Sequence, residues 1–216
     1  TEEEFNDIYV DKYNIPIVFC NISDVKYVND GKYEYSLVNN EFIYSLQSLD
    51  KSITTFDFTK EFPDYKLISL GQRAFYEHNN LKEINLGNDI EFIAYEAFYY
   101  CHNIKCVYLP KSIKEISEGA FRNNANKTIY YQGSLEEFNN VTIFKDFDMN
   151  LIAKYNVDSV SYIETDKYEY ALVNEELIYN FKHLDNLITK FDFTTEFPEY
   201  KLISLATEAF KGCQYL

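Results

Sequence analysis

Two internal repeats of different length run through this 216-residue chain, and they restrict its fold more than any single motif does. In the long repeat, the segment from Lys32 to Leu81 aligns without a gap with the segment from Lys167 to Leu216, at an offset of 135. Of the 50 aligned pairs, 30 are identical. Residues 3–6 also resemble residues 136–139, at an offset of 133. We therefore expect both ends of the chain to lie inside repeating units.

A short repeat lies inside the long one. The pair Ala-Phe recurs at a constant spacing of 23, at residues 74–75, 97–98 and 120–121, and returns near the end of the chain at 209–210. Aliphatic residues keep the same spacing, in the pattern L-x-x-L-x-L at 81–86 and again at 104–109. This period and this pattern are typical of leucine-rich repeats. The last two aliphatic residues of each pattern face one side of a short strand, which only stacking can bury.

The spacing predicts two sets of core residues. The first set lies in adjoining parallel strands and comprises Ile84, Val107 and Ile129. The second set fills the opposite wall of the core and comprises Phe75, Phe98 and Phe121. Stacking of successive turns would join both sets into one continuous core.

Residues 90–116 resemble BspA-type leucine-rich repeats, whose pattern is roughly I-x-x-I-x-x-x-A-F-x-x-C-x-x-L-x-x-I-x-L-P-x-S-I. The residues that match it are Ile90, Ile93, Ala97, Phe98, Cys101, Ile104, Val107, Leu109, Pro110, Ser112 and Ile113. The resemblance extends over residues 67–131 and resumes at 202–216, and residues 129–138 resemble the usual ending of such arrays. The chain departs from the pattern at His78, which replaces the cysteine, and at Asn126, which replaces the leucine. Segments 20–66 and 155–201 do not show the pattern.

The resemblance implies a leucine-rich-repeat solenoid, that is, a β-rich, right-handed α/β-type superhelix with interspersed small antiparallel β meanders. The family is associated with surface proteins of bacteria, mycoplasmas and protozoa, many of them adhesins. It therefore implies a secreted or cell-surface location, and adhesion through a protein or glycan ligand. Fold alone does not determine function, so these implications remain expectations.

Residues typical of turns, together with alternation of apolar and polar residues, predict further strands and divide the chain into segments. Asn29-Asp30-Gly31-Lys32 predicts a hairpin and Asn39-Asn40 a second tight turn between strands at 25–28, 33–38, 42–46 and 53–58. The resulting meander would continue the solenoid sheet or cap its end. Ser134 and Glu137 form a capping-box pattern for a short helix. The expected segments are the end of a preceding repeat unit at 1–24, a meander at 25–66, a repeat stack at 67–140, a linker at 141–159, a second meander at 160–201 and the start of a second stack at 202–216.

The net charge of −15 argues against some classes of partner. Phosphate backbones and anionic membrane surfaces repel such a chain, so we expect no nucleic-acid partner. No stretch approaches the ~18 continuous apolar residues of a membrane helix, so we expect no direct membrane insertion in this segment. Residues 1–6 are acidic and show no signal-peptide pattern.

No residue pattern indicates catalysis or a cofactor, and we expect neither. The chain has no nucleophile elbow, P-loop or zinc-protease motif. Cys101 and Cys213 share one repeat position with His78, which favours a packing role, and Cys20 offers no partner motif. Cys101-His102-x-x-x-Cys106 is a weaker alternative as part of a metal site, since zinc requires four ligands. Asp57 and Asp192 are interpreted as solvated strand residues, with calcium binding as the weaker alternative.

The repeat strands also have a second face. Residues between the core positions project away from the core, and stacking would align them into a strip on the sheet surface. The candidate ligand contacts on this strip are Glu83, Asn85, Tyr108, Thr128 and Tyr130. Tyrosine suits interfaces because it combines apolar area with a polar tip. The sequence therefore favours a non-catalytic binding module; the alternatives are a structural spacer or the recognition arm of a larger multidomain protein.

Overall fold

The computed structural model describes residues 24–124, 128–144 and 152–216. They form a β-solenoid of about six turns with small antiparallel elements, which confirms the predicted leucine-rich-repeat solenoid. The helical share of the expected α/β superhelix is small, because the described helices are three single turns: α1 (Phe58–Glu61), α2 (Leu135–Phe138) and α3 (Phe193–Glu196). Residues 1–23 of the unit predicted at 1–24, together with Asn126 and part of the linker, lie outside the described residues, and so does Cys20.

The first meander consists of β1 (Val25–Asn29), β2 (Tyr33–Val38) and β3 (Phe42–Ser48), paired antiparallel. Both predicted turns are present. Gly31 has φ +88°, which glycine adopts readily. Asn39 and Asn40 both have φ 53°, the left-handed conformation that a two-residue hairpin of this type requires and that asparagine tolerates.

The first meander continues into one wall of the solenoid. β3 pairs parallel with β5 (Lys66–Leu67) and β6 (Ser69–Leu70). From β6 the wall continues in parallel through three further strands, β8 (Phe92–Ile93), β10 (Glu115–Ile116) and β12 (Thr142–Ile143). Of the two predicted positions for this meander, the structure thus shows continuation of the solenoid sheet, which joins the antiparallel strands to the parallel ones in one eight-stranded sheet.

The opposite wall is a five-stranded parallel sheet. Its strands, in spatial order from one edge, are β4 (Thr55–Asp57), β7 (Glu83–Asn85), β9 (Cys106–Leu109), β11 (Thr128–Tyr131) and β13 (Ile152–Lys154). Ile84 lies opposite Val107, and Val107 lies opposite Ile129, each at most 1% exposed. The prediction that these residues occupy adjoining parallel strands is confirmed.

Between the two walls, the phenylalanines of the Ala-Phe pairs form a stack. Phe75 and Phe98 lie with ring centroids 5.3 Å apart, and Phe98 and Phe121 5.1 Å apart, with interplanar angles of 14° and 13°. All three are buried, as predicted. The preceding alanines are buried too, and their small side chains leave room for the close approach of neighbouring turns.

Asp57 and Phe58 differ from their prediction. The strand expected at 53–58 ends at Asp57, and Phe58 begins α1. Asp57 is the N-cap of this helix, and its side chain accepts a hydrogen bond from the Thr59 backbone N–H. Asp192 caps α3 in the same way through Thr194. An N-cap aspartate combines an extended backbone with a helix start, which strand alternation does not reveal. The capping box of Ser134 and Glu137 is confirmed at α2.

The second meander repeats the first in the later part of the chain. It consists of β14 (Val160–Glu164), β15 (Tyr168–Val173) and β16 (Leu177–His183), and β16 pairs parallel with β17 (Lys201–Leu202). Its position differs from that of the first meander in one respect. One of its faces packs against the outer face of the five-stranded sheet.

Candidate functional site

The five predicted contact residues come together on the outer face of the five-stranded sheet. Glu83, Cys106 and Thr128 lie directly opposite one another on neighbouring strands, and so do Asn85, Tyr108 and Tyr130. Pairing without register shifts between these three strands places the residues in two rows. The predicted strip therefore exists as a geometric feature.

The second meander covers much of this strip. Tyr108 is 7% exposed and Tyr130 0% exposed. They form an apolar cluster with Cys106, Val157, Ala171, Val173 and Tyr179. The expected exposure is therefore wrong for both tyrosines. The second meander, β14–β16, follows β13 in the chain and packs against both side chains. Their contact with a ligand stays a prediction.

Polar contacts of the strip are also made within the chain. Glu83 Oε1 accepts a hydrogen bond from the Tyr162 backbone N–H at 3.3 Å. Thr128 Oγ1 accepts one from Asn180 Nδ2 at 2.8 Å. Burial raises the pKa of the Glu83 carboxyl above its ordinary value, although the hydrogen bond from Tyr162 opposes this shift. The carboxylate is thus held against the edge strand of the second meander.

The remaining strip residue, Asn85, contacts the neighbouring strand and loop. Its Nδ2 donates to Asp57 Oδ1 at 3.2 Å, and its Oδ1 accepts from the Gly87 backbone N–H at 3.0 Å. Gly87 has φ +75°, so the loop after β7 uses a conformation that other residues adopt at a cost. Asn85 is thereby fixed by the turn rather than directed to solvent.

A polar cleft of about 430 Å³ remains where the sheet and the second meander meet. The side chains that give it its polar character are Lys105, Thr128, Glu169, Asn180, Lys182 and Glu208. Glu169 Oε1 lies 3.6 Å from Lys182 Nζ and 3.9 Å from Lys105 Nζ. Tyr162 Oη donates to Glu169 Oε2 at 3.0 Å. The cleft therefore presents two ammonium groups around the Glu169 carboxylate, and Glu208 adds a second carboxylate to its lining.

The ionisable groups buried beside the cleft are held neutral. Burial raises the pKa of the Cys106 thiol well above its ordinary value, and it also raises the pKa of Tyr130 and of Tyr162. At neutral pH none of these groups is a thiolate or phenolate nucleophile. The groups with which the cleft can contact a ligand are therefore its charged and hydrogen-bonding side chains.

The cysteines differ in their surroundings. Cys101 is buried in the solenoid core, where Sγ donates to the Phe75 carbonyl oxygen at 2.8 Å, whereas Cys106 is buried under the second meander. Burial raises the pKa of Cys101 to about 12. The two thiols lie in different apolar clusters, which gives no support to the metal-site alternative. Among the described residues, no group of three or more His, Cys, Asp or Glu side chains could hold a metal ion.

Sequence reasoning missed the residues that the second meander contributes: Glu169, Asn180 and Lys182. The missed signal was the alternation Glu169-x-Ala171-x-Val173, which gives β15 a second, partly apolar face. Alternation identifies such a face but does not say which distant element covers it. In the stretches that the structure describes, no helix has the length and apolar character needed to cross a membrane.

Stacked parallel strands, turns of about 23 residues and a spine of Ala-Phe pairs define this protein as a leucine-rich-repeat solenoid. A sequence model of the BspA type leucine-rich repeat region matches residues 48–173 in six copies, and the chain belongs to that family. Proteins of this family are commonly surface-associated, and repeat solenoids of this kind are typically non-catalytic. No curated protein matched the chain. No solved structure matched it.

The family match corrects one expectation. It begins at residue 48 and ends at residue 173, so it includes parts of both segments that did not show the repeat pattern. The structure gives a reason for the first of them. β4 pairs in parallel with β7, with Phe56 directly opposite Ile84, so residues 55–57 belong to a turn of the solenoid.

Proposed function

We propose that the chain is a non-catalytic binding module of a surface or secreted leucine-rich-repeat protein, and that it contacts a protein or glycan ligand at the polar cleft. The observation that carries the proposal is the cleft itself, about 430 Å³ in volume, where Lys105 of the solenoid faces Glu169 and Lys182 of the second meander. Binding sites combine such concavity with a few convergent polar groups.

The chemistry of the lining restricts the ligand. Two ammonium groups donate hydrogen bonds, while the carboxylate of Glu169 and the carboxamide of Asn180 can accept them. Tyr162 also lines the same cleft. This combination suits a polar ligand with several hydroxyl or carboxylate groups, such as a saccharide or a polar loop of a protein, better than an apolar one.

The test is a binding screen with a matched pair of variants. The immobilised chain is probed with a glycan array and with purified extracellular-matrix proteins, and each positive probe is titrated against Lys182→Ala. Loss of a charge-assisted hydrogen bond should weaken binding by about tenfold or more. The control is Lys114→Ala, because Lys114 pairs with Glu91 beside the eight-stranded sheet, away from the cleft.

Equal affinity of the wild type and Lys182→Ala would contradict the position of the site. Absence of binding to every probe, with a folded sample, would count against the binding function itself. Substitution of Tyr108 or Tyr130, which sequence reasoning alone suggests, does not separate these cases. Both tyrosines are buried under the second meander, so their replacement changes the packing of the chain.

A second candidate is a structural spacer, which the packing of the second meander on the sheet favours. The apolar cluster around Tyr130 and Val173 fixes the later copy of the long repeat against the earlier stack. A spacer is expected to lengthen in equal steps as copies are added. Appending residues 82–216 after Leu216 continues the repeat in register. Small-angle X-ray scattering should then show a longer maximum dimension, and an unchanged dimension would exclude this role.

A further inference from the structure

The two ammonium groups of the polar cleft come from different parts of the fold. Lys105 directly precedes β9 of the five-stranded sheet, whereas Lys182 lies in β16 of the second meander. Both approach the same oxygen of Glu169, Lys105 to 3.9 Å and Lys182 to 3.6 Å. Hydrogen bonds between an ammonium group and a carboxylate are shorter, about 2.7–2.9 Å. The N–H groups of both lysines therefore retain the capacity to bond a ligand.

The side chains around the cleft carry a positive surplus, although the net charge of the whole chain is −15. Glu169 balances only one of the two lysines that approach it. The other carboxylate of the lining, Glu208, is paired with Lys211, whose Nζ lies 2.9 Å from both of its oxygens. One positive charge of this group thus has no matching carboxylate. A ligand with a single negative charge would balance it.

The size and the remaining lining of the cleft suit a small acidic group. Its volume of about 430 Å³ lies towards the lower end of the range of ligand pockets, which is roughly 300–1,000 Å³. The hydroxyls of Thr128 and Thr207 and the carboxamide of Asn180 lie beside the lysines. Asn180 Nδ2 donates to Thr128 Oγ1 at 2.8 Å, which orients both side chains. These groups can bond the hydroxyls of a sugar ring or the amides of a peptide.

We infer that the cleft binds a carboxylate between Lys105 and Lys182, carried by an acidic sugar or by an acidic side chain of a protein. The inference rests on the proposed function and names the chemical group that the binding module recognises. The arrangement of the lysines supports a carboxylate, because both already approach one oxygen of the Glu169 carboxylate. A carboxylate of the ligand would receive charge-assisted hydrogen bonds, which are roughly twice as strong as neutral ones.

A ligand at this position connects two units of the fold. The apolar contact between the second meander and the sheet covers Cys106, which is 1% exposed. A ligand that bridges Lys105 and Lys182 binds only while the meander is docked, so it stabilises the docked state by mass action. At a ligand concentration of about ten times Kd, maleimide labelling of Cys106 should slow about tenfold.

The experiment compares acidic probes with neutral probes of the same shape. Methyl β-D-glucuronide is paired with methyl β-D-glucoside, and N-acetylglutamic acid α-methylamide with N-acetylglutamine α-methylamide. NMR titration of the chain measures each Kd, and mass spectrometry measures the labelling of Cys106. At least one acidic probe should bind about tenfold or more tightly than its neutral counterpart and should protect Cys106. The pair with the larger ratio identifies the source of the carboxylate as sugar or protein.

Variants of the lysines and of Glu169 should change the affinity in opposite directions. Lys105→Gln and Lys182→Gln should each weaken binding of the acidic probe about tenfold, whereas the control Lys114→Gln should leave it unchanged. Glu169→Gln keeps an acceptor for the Tyr162 hydroxyl but removes a negative charge, so it should strengthen binding of the acidic probe severalfold. Damage to the structure would not produce such an increase.

Three results would overturn the inference: equal affinity for the acidic and neutral members of both pairs, a preference for the acid that persists in both lysine variants, or acidic binding that leaves Cys106 unprotected. A glucoside 6-sulfate that binds more tightly than both carboxylates would also overturn it, by assigning the cleft to another anion. The proposed function fails separately. A neutral glycan or matrix protein that loses affinity in Lys182→Ala would keep the cleft as a binding site without the carboxylate, whereas absence of binding by every probe contradicts both.

Discussion

The residue that follows each core phenylalanine by three positions makes a side-chain bond to a neighbouring turn. Cys101 Sγ donates to the Phe75 carbonyl oxygen, and Asn124 Nδ2 donates to the Phe98 carbonyl oxygen at 2.7 Å. His78 holds the same position, and its Nε2 lies 3.0 Å from Ser48 Oγ. Three chemically different side chains thus satisfy buried polar groups between turns, which would otherwise cost stability.

The pH dependence of stability should reflect His78. Burial lowers the pKa of His78 below its ordinary value of 6.5, so below pH 6.5 the unfolded chain binds a proton that the folded chain resists. The contribution of His78 is therefore complete above pH 6.5 and declines as the pH falls towards its folded pKa. In His78→Asn, which introduces the residue of the equivalent position 124, this decline should be absent. Urea unfolding of both proteins at several pH values tests it, and parallel curves would contradict it.

Tyr130 carries a buried hydroxyl for which the described residues supply no hydrogen-bond partner. An unpaired buried hydroxyl costs about 1–3 kcal/mol, so Tyr130→Phe should raise the free energy of unfolding by about 1 kcal/mol or more. Chemical denaturation measures the change. The matched control is Tyr108→Phe, because the Tyr108 hydroxyl donates to the Asp158 carbonyl oxygen at 3.4 Å and its loss brings no such gain. A clear loss of stability in Tyr130→Phe would show that its hydroxyl is bonded.

Core positions could be predicted from the sequence, whereas the cover of the strip could not. Phe98 and Val107 both recur with the period of the short repeat, and only one arrangement buries every copy, so the period alone places them. Tyr130 presents the opposite case. Alternation places its side chain on the outer face of β11, but its burial depends on Ala171 and Val173, which belong to a much later part of the chain. No local pattern contains such a contact.

Among the elements, the single-turn helices α1 and α3 begin in the same way, although their surroundings differ. Asp57 and Asp192 cap them, each accepting hydrogen bonds from the backbone and the hydroxyl of a threonine two residues later. Burial raises the pKa of Asp57, but the hydrogen bonds from Thr59 and the ammonium of Lys60 outweigh it and lower this pKa overall. The hydrogen bond from Thr194 lowers the pKa of Asp192.

The two caps should differ in their contribution to stability. Asp57→Ala should cost about 1–2 kcal/mol, since Asp57 also accepts a hydrogen bond from Asn85 of the adjacent strand. Asp192→Ala should cost less than Asp57→Ala, because Asp192 is exposed and only its cap is lost. Urea unfolding measures both, and Asp57→Asn and Asp192→Asn serve as controls that retain capping. Equal losses at the two positions would mean that the contact with Asn85 contributes little.

Strands, turns and helices were predicted correctly where adjacent residues determine the turn or the cap. The prediction failed at Asp57, which both ends a strand and caps a helix. Asn39-Asn40 and the capping box of Ser134 and Glu137 indicate their structures from adjacent or nearly adjacent residues, and both are present. The segment Phe56-Asp57-Phe58 alternates between apolar and polar residues as a strand does, and its first two residues belong to β4. Phe58 stays buried after the backbone turns into a helix, so burial periodicity continues across the end of the strand.

At the scale of the whole molecule, the second meander packs against other elements with both of its faces. The inner face of the first meander, with Tyr33, Tyr35 and Leu37, belongs to the core of the first stack. In the second meander, Tyr168, Tyr170 and Leu172 form the corresponding face, while the outer face covers the five-stranded sheet. The centre of that outer contact is apolar, and its rim is charged, where Lys82 pairs with Glu164 and Lys105 with Glu169.

Docking of the second meander should therefore depend little on salt. Exposed ion pairs contribute roughly 0–1 kcal/mol each and are screened at high ionic strength, while apolar burial is not. Between roughly 50 mM and 1 M NaCl, maleimide labelling of Cys106 should change by less than about tenfold. Tyr179→Ala, which removes an apolar partner of Tyr130, should increase labelling more than salt does. A greater effect of salt than of Tyr179→Ala would assign the docking to the ion pairs.

The packing of a meander against the sheet before it has a consequence for how such proteins lengthen in evolution. A tandem duplication of the long repeat unit copies both complementary surfaces of the contact in one event, so the new junction is compatible from the start. Later substitutions at the junction are constrained in pairs. A change in the meander residues that contact Tyr130 must remain compatible with the sheet that Tyr130 belongs to. Divergence between copies should accordingly be slowest at these junction residues, and fastest at the solvent-facing ends of the turns.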